Sequence, residues 1–585
     1  MSKLQVTDML ARAFAAEGVD TLFTLMGDAN MYWSVAMSKL PGMKVVHARH
    51  EHCAVAMADG YARATGKVGV ASTTCGPGFT QIMTALTISA RSNTPLVVFA
   101  GDAPLTASWY IQQIDMAPLT LACGAHFVGI KHIDRVLDNV REAFQIAQAE
   151  RKPVVLSVPM DLQKQAWPHL TDYTPSSELV PTAQRPLPDP AMVDRVVDMI
   201  AEAEKPVVLA GRGVIRSGAR TALETLAEQS GALLATSLLG KGLFDGNPYA
   251  LDIAGSFASD FARERFAEAD LVIGVGAGLG HYTTEGGYLY PGARTVQIDT
   301  DPRGLWQGLR TADLHVRADA KAAAEAITAR MKARHVSRTG FRNGDMAQQI
   351  AKDSPDSKEF QVQPNTVDPR KAILELDQAI PKDWDIVVGG GHYFSIAMTH
   401  MKGRPADKYH VVNEFGAIGS GLPAAIGIGA RRRRRQGHAD RGRRQPVDAH
   451  PGARDDPPPG HPHADLGDER RRLRCGVPQV PRQRHRSRRG HARPRRPCRR
   501  GDGLRPARCR RHRDGPLRAV VPRASSGQHR LGVGHPHRRS HPVARLPPRA
   551  LRRGVKPSPA LTSPSIHPTG RHETPTARIS HMLAR

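Results

Sequence analysis

Short, uninterrupted apolar runs rich in β-branched residues recur between helical patterns over the first 430 residues. Three of them are Pro95-Leu-Val-Val-Phe-Ala-Gly101, Pro153-Val-Val-Leu-Ser-Val-Pro159 and Asp270-Leu-Val-Ile-Gly-Val-Gly276. Because apolar and polar residues do not alternate in these runs, both faces of each strand must be buried. Strands of this kind, separated by helices, predict doubly wound parallel sheets and place this part of the chain in the α/β class.

The composition changes abruptly at Arg431. Residues 1–430 contain 41 Lys and Arg against 45 Asp and Glu, whereas residues 431–585 contain 41 against 10. The later segment has 40 Arg and 14 His but lacks Asn, Phe, Tyr and Trp altogether. Since it has too few large apolar side chains to offset the entropy of ordering a chain, we predict that residues 431–585 form a disordered basic tail.

Polar and turn-forming stretches divide the first part of the chain. Residues 166–188 and 335–365 have the composition of linkers. We therefore predict domains over residues 1–170 and 190–330, and an incomplete third domain over residues 365–430.

Several protein classes are excluded by simple features. We find no apolar run of about 18 residues, which argues against a membrane span. The amphipathic, acid-containing start of the chain is unlike a signal or transit peptide. Six Cys without close pairs argue against a disulfide scaffold or a zinc site, so we expect a cytoplasmic protein.

The most informative string is RHEHCAVAMADGYARATG, residues 49–66. Together with Cys75–Gly78 and Asn93–Asp102, it resembles the pyrimidine-binding domain of thiamine-diphosphate enzymes of the acetolactate-synthase-like branch. Residues 206–213 and 297–302 resemble the central domain of that family, and Phe415–Gly427 resembles the opening of its diphosphate-binding domain. The resemblance implies a three-domain architecture, here with the third domain truncated.

The resemblance gives Glu51 the catalytic role. A carboxylate at this position hydrogen-bonds the aminopyrimidine ring and so helps to activate the thiazolium carbon, which then attacks a 2-oxo acid. Taken by itself, a Glu on a helix is usually a solvated surface residue.

The resemblance also implies cofactor and substrate contacts. Gly76, Pro77 and Gly78 form a tight loop that a ligand can approach, although an ordinary strand-to-helix turn has the same composition. Gln113 stands where the family usually has an acidic residue. Met26–Asn30 departs from the usual Gly-x-Pro-Gly turn, which lines the substrate pocket, so the resemblance does not identify the substrate. The further cofactor contacts implied are Gly27, Gly391, His392, Gly416 and Ile418, and the implied substrate-pocket residues are Asp28, Ala29 and Gln112.

Two patterns suggest other ligands. The spacing of His47, His50 and His52 does not bring three imidazoles to one point, which argues against a metal cluster. Gly274–Gly280 follows an apolar run but lacks strict G-x-G-x-x-G spacing, so the family resemblance leaves FAD binding open.

The family holds Mg²⁺ and diphosphate through Gly-Asp-Gly followed about 25–30 residues later by Asn. Because residues 431–585 contain no Asn, Gly501-Asp-Gly503 cannot be that motif, and we assign no metal ligands. Read one nucleotide later, the codons of Gly442–Asp448 permit Gly-Asp-Gly-Ser-Leu-Leu-Met, and an Asn becomes possible 26 codons after that Asp. The tail is therefore interpreted as a frameshift arising between about codons 427 and 436, with a genuine Arg-rich nucleic-acid-binding tail as the alternative.

The resemblance implies an acetolactate synthase-like activity, which converts two pyruvate into acetolactate and carbon dioxide in branched-chain amino acid biosynthesis. It also implies thiamine diphosphate and Mg²⁺ as cofactors and a homodimer or homotetramer. We expect this activity to be impaired in the chain as written. A decarboxylase without carboligation and a basic nucleic-acid-binding protein are the alternatives.

Overall fold

The computed structural model describes residues 4–169, 172–179, 185–301, 312–356, 359 and 361–431. The predictions for residues 432–585, including disorder and the status of Gly501–Gly503, lie outside the described residues. Within the described ranges, no helix is both long and apolar enough to cross a membrane.

Helices and strands alternate along most of the described chain, as the apolar runs predict. The strands are β1 (Thr21–Thr24), β2 (Lys44–His47), β3 (Gly69–Thr73), β4 (Leu96–Asp102), β5 (His126–Gly129), β6 (Pro153–Pro159), β7 (Pro206–Ala210), β8 (Leu233–Thr236), β9 (Ala250–Ile253), β10 (Leu271–Val275), β11 (Arg294–Asp299), β12 (Leu314–Arg317), β13 (Ile386–Gly389) and β14 (Tyr409–Val412).

The helices cover the sheets that these strands form. They are α1 (Val6–Ala16), α2 (Met31–Ser38), α3 (Glu51–Thr65), α4 (Pro77–Thr80), α5 (Met83–Arg91), α6 (Met116–Ala122), α7 (Val136–Ala149), α8 (Met160–Gln163), α9 (Ser176–Leu179), α10 (Pro190–Glu202), α11 (Arg212–Ser217), α12 (Arg220–Ser230), α13 (Asp260–Glu268), α14 (His281–Thr284), α15 (Ala320–Ala333), α16 (Met346–Ala351), α17 (Pro369–Ala379), α18 (Tyr393–His400) and α19 (Gly421–Ala430).

The first sheet has the strand order β2-β1-β3-β4-β6-β5, and every pairing in it is parallel. Phe23 of β1 lies opposite Val46 on one side and Ala71 on the other. Separate apolar cores cover its two faces. One of them is centred on Trp33 and Phe99, whose rings stack with centroids 4.0 Å apart. The burial of both faces explains the continuous apolar runs.

The second sheet has the order β12-β11-β10-β7-β8-β9 and is also parallel, with an apolar core on each face. A third, two-stranded parallel sheet pairs β13 with β14. Phe394, Met398 and Met401 of α18 and its C-terminal end pack with Val388 and Val411 of these strands. The α/β class and the parallel sheets are therefore confirmed.

Two local predictions differ from the structure. The sequence of residues 79–91 predicts one helix, but the structure divides this segment between α4 and α5, and both Phe79 and Ile82 are fully buried at the break. The expected linker at 335–365 contains α16, and Phe341 and Met346 belong to the core of the second sheet. In both places, burial of apolar side chains outweighs the local sequence signal. The predicted domain boundaries themselves stay predictions.

Candidate functional site

The carboxyl ends of β1 and β3 lie side by side, because these strands are parallel neighbours. The loop after β1 therefore meets the loop after β3. Ala29 N donates a hydrogen bond to Thr74 Oγ1 at 3.3 Å. Ligands of parallel α/β sheets generally bind at this edge, which makes it the first place to search for a site.

Asn30 holds the loop after β1 in place. Its Oδ1 accepts from Gly27 N at 2.7 Å, and its Nδ2 donates to Ser72 Oγ at 2.6 Å and to Leu25 O at 3.1 Å. Asn30 is fully buried. A buried amide with its hydrogen bonds made fixes the backbone of the loop and leaves the neighbouring Asp28 side chain exposed.

Asp28 faces a tyrosine from another segment. Tyr110 OH donates to Asp28 Oδ2 at 3.3 Å. Burial, followed by the nearby Cys75 and Asp28, raises the pKa of Tyr110 above its usual value. The phenol is therefore a stable hydrogen-bond donor to the carboxylate at neutral pH.

Glu51 is the first residue of α3, at the same edge of the sheet. The His50 ring caps the helix by accepting from His52 N at 3.2 Å. A carboxylate in the first turn is favoured by the partial positive charge of a helix N-terminus. A Cβ built on Gly78 would lie 3.2 Å from Glu51 Oε1 and 2.7 Å from Thr74 Cγ2, so the absence of a side chain at Gly78 keeps space open beside the carboxylate.

The Gln112 side chain lies against the loop after β3. Its Oε1 lies 3.5 Å from Thr74 Oγ1 and 3.7 Å from Cys75 Sγ. Gly76 has a φ of +59°, and a Cβ there would lie 2.5 Å from Gln112 O, so the position requires glycine on both grounds. Burial and the nearby Asp102 raise the pKa of the Cys75 thiol to about 11.

The structure brings one group of the predicted site residues together and holds the other apart. The group at the edge of the first sheet comprises Gly27, Asp28, Ala29, Glu51, Gly76, Pro77, Gly78 and Gln112. The second group follows the carboxyl ends of β13 and β14 and comprises Gly391, His392, Gly416 and Ile418. Among the described residues, no hydrogen bond or ion pair joins Glu51 to this second group.

Helices α3 and α19 nonetheless connect the two groups through a close crossing. A Cβ on Gly60 would lie 2.2 Å from Ala424 O, and one on Gly427 would lie 1.9 Å from Met57 O. The absence of side chains at both positions allows the two backbones to touch. At the N-terminal ends of the helices, His52 Nε2 lies 3.1 Å from Ser420 Oγ.

A buried ion network ties the other end of α3 to its surroundings. Arg63 donates to Asp59 Oδ2 at 2.6 Å, to Glu414 Oε1 at 2.6 Å and to Val411 O at 2.8 Å. Burial by itself would lower the pKa of Arg63, but the charges of Asp59 and Glu414 outweigh it and raise this pKa. Arg63 is therefore charged at every pH at which the fold persists.

The described residues contain no cluster of three or more His, Cys, Asp or Glu able to hold a metal ion. The rings of His50 and His52 lie 6.4 Å apart, and His50 acts as a helix cap. The glycine loop after β10 contains the residues that left FAD binding open. Its Gly276 O accepts a hydrogen bond at 3.0 Å from the N–H of Gly213, which lies at the start of α11. The Gly213 N–H group therefore already has a partner within the protein.

Two family profiles match the chain. The profile for the thiamine pyrophosphate enzyme N-terminal TPP binding domain covers residues 4–119, which include Glu51 and the whole first group of site residues. The profile for the thiamine pyrophosphate enzyme central domain covers residues 193–327. The chain carries the N-terminal and central domains of the thiamine-diphosphate (thiamine pyrophosphate) enzyme family. Its resemblance to the acetolactate-synthase-like branch is supported by individual relatives.

This thiamine-diphosphate enzyme is similar to three proteins named as acetolactate synthase large subunits. It is 26% identical to the one from Buchnera aphidicola over 447 residues, which are 73% of this chain and 75% of that protein. It is 27% identical to isozyme 3 of Escherichia coli over 443 residues, 73% and 75% of the two chains. A probable large subunit of Methanocaldococcus jannaschii is 31% identical over 329 residues, 54% of each chain. The matches thus span about half to three quarters of these relatives.

Several residues of the thiamine-diphosphate enzyme site were missed in the sequence. Asn30 and Tyr110 position the loop and Asp28, and Ser420 meets His52. Asn30 lies within Met26–Asn30, the segment that departs from the family's usual turn, and this departure is the signal that could have indicated it. No local signal indicates Tyr110 or Ser420, because their partners are 82 and 368 residues away in the chain.

Proposed function

We propose that this thiamine-diphosphate enzyme derives from a catalyst that decarboxylates pyruvate and transfers the two-carbon unit to a second 2-oxo acid, as in acetolactate synthesis. Three similar proteins, each named as an acetolactate synthase large subunit, support this proposal. The observation that carries it is the position of Glu51, at the sheet edge beside a loop that leaves space next to its carboxylate.

The residues at the first edge fit the pyrimidine end of the cofactor. When bound, thiamine diphosphate supplies an electron sink for decarboxylation. Glu51 would hold a proton between its carboxylate and the aminopyrimidine ring, and the backbone of Gly76 to Gly78 would approach the ring closely. Gln112 and Ala29 would line the substrate side, while Asn30 and Thr74 would keep both loops in position.

The residues at the second edge fit the other end of the cofactor only in part. Gly391, His392, Gly416 and Ile418 would contact the cofactor from this side. Mg²⁺ requires oxygen ligands, and residues 431–585 contain no Asn that could serve as the second ligand of the family's motif. We therefore propose that the chain as written binds thiamine diphosphate weakly, and that its reading frame changes between about codons 427 and 436.

A titration of the full chain with thiamine diphosphate and Mg²⁺ tests this proposal. We expect no saturable binding at micromolar cofactor for the chain as written, and micromolar binding after the reading frame is restored. Micromolar binding by the unaltered chain would refute the loss of the diphosphate side. No binding by the restored chain would refute the family function for this sequence.

In this family, one subunit supplies the glutamate and another supplies the diphosphate site. In a mixed oligomer, the present chain would supply Glu51 and an intact relative would supply the diphosphate site. Co-expression with a relative whose corresponding glutamate is changed to glutamine should restore pyruvate consumption. The Glu51→Gln form of this chain should not restore it.

A decarboxylase without carboligation is the second candidate, because Met26–Asn30 departs from the family's usual turn at the substrate pocket. Asp28 of this segment is hydrogen-bonded by Tyr110 and would face the substrate. Aldehyde release by the restored enzyme would support the decarboxylase, whereas acetolactate formation would support the synthase. FAD binding, the oligomeric state and a cytoplasmic location stay predictions.

A further inference from the structure

The Glu51 carboxylate is not fixed by another side chain. Within the described residues, no protein group hydrogen-bonds or pairs with it, and Glu51 is half-buried as the first residue of α3. Its position therefore depends on the backbone at the start of this helix. The first turn of a helix frays readily, so a residue that anchors this turn also positions the carboxylate.

One anchor of the first turn is a helix cap that is exposed to solvent. The ring of His50 accepts from His52 N at 3.2 Å. The His50 carbonyl accepts from Cys53 N at 3.0 Å and from Ala54 N at 3.3 Å. Because His50 is exposed, water competes for its ring nitrogen, and the cap by itself holds the turn weakly.

The second anchor is the contact between His52 and Ser420, which is shielded from solvent. His52 Nε2 lies 3.1 Å from Ser420 Oγ, and Ser420 is 1% exposed. Ser420 stands at the N-cap position of α19, where a serine hydroxyl ordinarily accepts from a backbone N–H of its own helix. In α19, which lies wholly in the described part of the chain, the hydroxyl makes no such bond. It contacts the helix that begins with Glu51 instead.

The close crossing of the two helices fixes Ser420 relative to α3. A Cβ on Gly60 would lie 2.2 Å from Ala424 O. A Cβ on Gly427 would lie 1.9 Å from Met57 O. The two backbones therefore touch, and neither helix has room to slide past the other. The start of α19 is thus a rigid support for the start of α3.

We propose that His52 is a positioning residue, which holds the first turn of α3 against Ser420 and so keeps the Glu51 carboxylate at the sheet edge. The inference rests on the proposed function, since Glu51 has its role only toward the thiamine cofactor. Displacing a reacting group by about 1 Å lowers a rate by up to about 100-fold, so a fixed first turn matters for proton transfer. His52 acts through the backbone and needs no contact with the cofactor.

Hydrogen–deuterium exchange of the full chain as written tests the anchor without any cofactor. Its readout is the exchange rate of the Cys53 and Ala54 amides in the first turn of α3. His52→Leu and Ser420→Ala should each raise this rate about fivefold, as expected for the loss of one hydrogen bond. The double variant should exchange no faster than either single variant, because both substitutions remove the same contact. The amides in the last turn of α3 should exchange as in the wild type.

Two further variants separate the contact from a general effect. The side-chain amide of Gln reaches the place of a His Nε2, so His52→Gln should keep the slow exchange. His132→Leu removes another His that accepts from a backbone N–H, in an exposed turn, and should leave the first turn of α3 unchanged. Unchanged exchange in His52→Leu, additive effects in the double variant, or equal acceleration at the last turn of α3 would overturn the proposal.

Turnover of pyruvate by the enzyme with its reading frame restored gives a second readout. At saturating cofactor, His52→Leu should lower kcat about tenfold and leave the KM for pyruvate within about twofold of the wild type. His52→Gln should retain the wild-type kcat, and a wild-type kcat in His52→Leu would overturn the proposal. No turnover by the restored wild type would refute the proposed function instead, and the exchange rates would still decide the role of His52.

Discussion

His52 Nε2 lies 3.1 Å from Ser420 Oγ, so the residue that follows Glu51 on α3 is joined to the residue that immediately precedes α19. Ser420 is almost fully buried. This contact links the edge of the first sheet, which carries Glu51, to the loop that follows β14. The two groups of predicted site residues are thus mechanically connected within one chain, although Glu51 itself does not touch the second group.

The His52 contact predicts a pH dependence of stability. Burial, followed by the charge of His50, lowers the pKa of His52 below 6.5. The unfolded chain then binds a proton at a higher pH than the folded chain does. Stability from this group is therefore complete above about pH 6.5 and is lost as the pH falls towards the lower folded value. Urea unfolding at pH 7.5 and pH 5.5 should show a smaller difference for His52→Gln than for the wild type. The exposed His132→Gln is the control, and an equal difference in all three proteins would contradict the prediction.

The crossing of α3 and α19 predicts opposite effects for two alanine substitutions on one helix. Gly427→Ala places a Cβ 1.9 Å from Met57 O and should lower the free energy of unfolding by about 1–3 kcal/mol. Gly429→Ala meets nothing within 4 Å and should be neutral or stabilising by up to about 1 kcal/mol, because alanine favours helix. Urea denaturation measures both, and equal effects would show that the two helices do not cross as described.

The Arg63 network predicts a large loss of stability on removal of the arginine. Arg63→Met leaves Asp59 and Glu414 buried without their common partner, which should cost about 3–5 kcal/mol of unfolding free energy. Arg330→Met breaks an exposed pair with Asp194 and should leave the denaturation midpoint nearly unchanged. Similar midpoints for the two variants would mean that the Arg63 pairs are solvated.

The Cys75 thiol should be unreactive in the folded protein. With a pKa of about 11, only about 0.1% of it is thiolate at pH 8. Iodoacetamide at pH 8, followed by peptide mass spectrometry, should leave Cys75 unmodified in native protein and alkylate it in urea. Rapid native alkylation would show that the loop after β3 is open to solvent.

Central strands could be predicted from the sequence, whereas three of the four edge strands of the two large sheets could not. The runs at 95–101 and 153–159 correspond to β4 and β6, which are flanked by strands on both sides and buried on both faces. The strands β5, β9 and β12 went unnoticed because each lies at the edge of its sheet. An edge strand is only partly covered, so its sequence needs no continuous apolar run.

The same distinction holds for the candidate site. Glu51 and the Gly76–Gly78 loop are visible in the sequence because a compact local motif carries them. Tyr110 meets Asp28, and Ser420 meets His52, only through the tertiary fold. Likewise, Phe341 looked like a linker residue because its burial depends on the second sheet, which is built from distant segments.

In the proposed reaction, the Glu51 carboxylate activates the thiamine cofactor. The most direct test is the turnover of pyruvate by the chain with its reading frame restored, measured with thiamine diphosphate and Mg²⁺ in wild-type and Glu51→Gln forms. Both forms should bind the cofactor, and the amide should lower turnover about 10²–10⁴-fold, as expected for loss of a positioned proton-transfer group. Equal turnover of the two forms would show that the Glu51 carboxylate does not activate the cofactor.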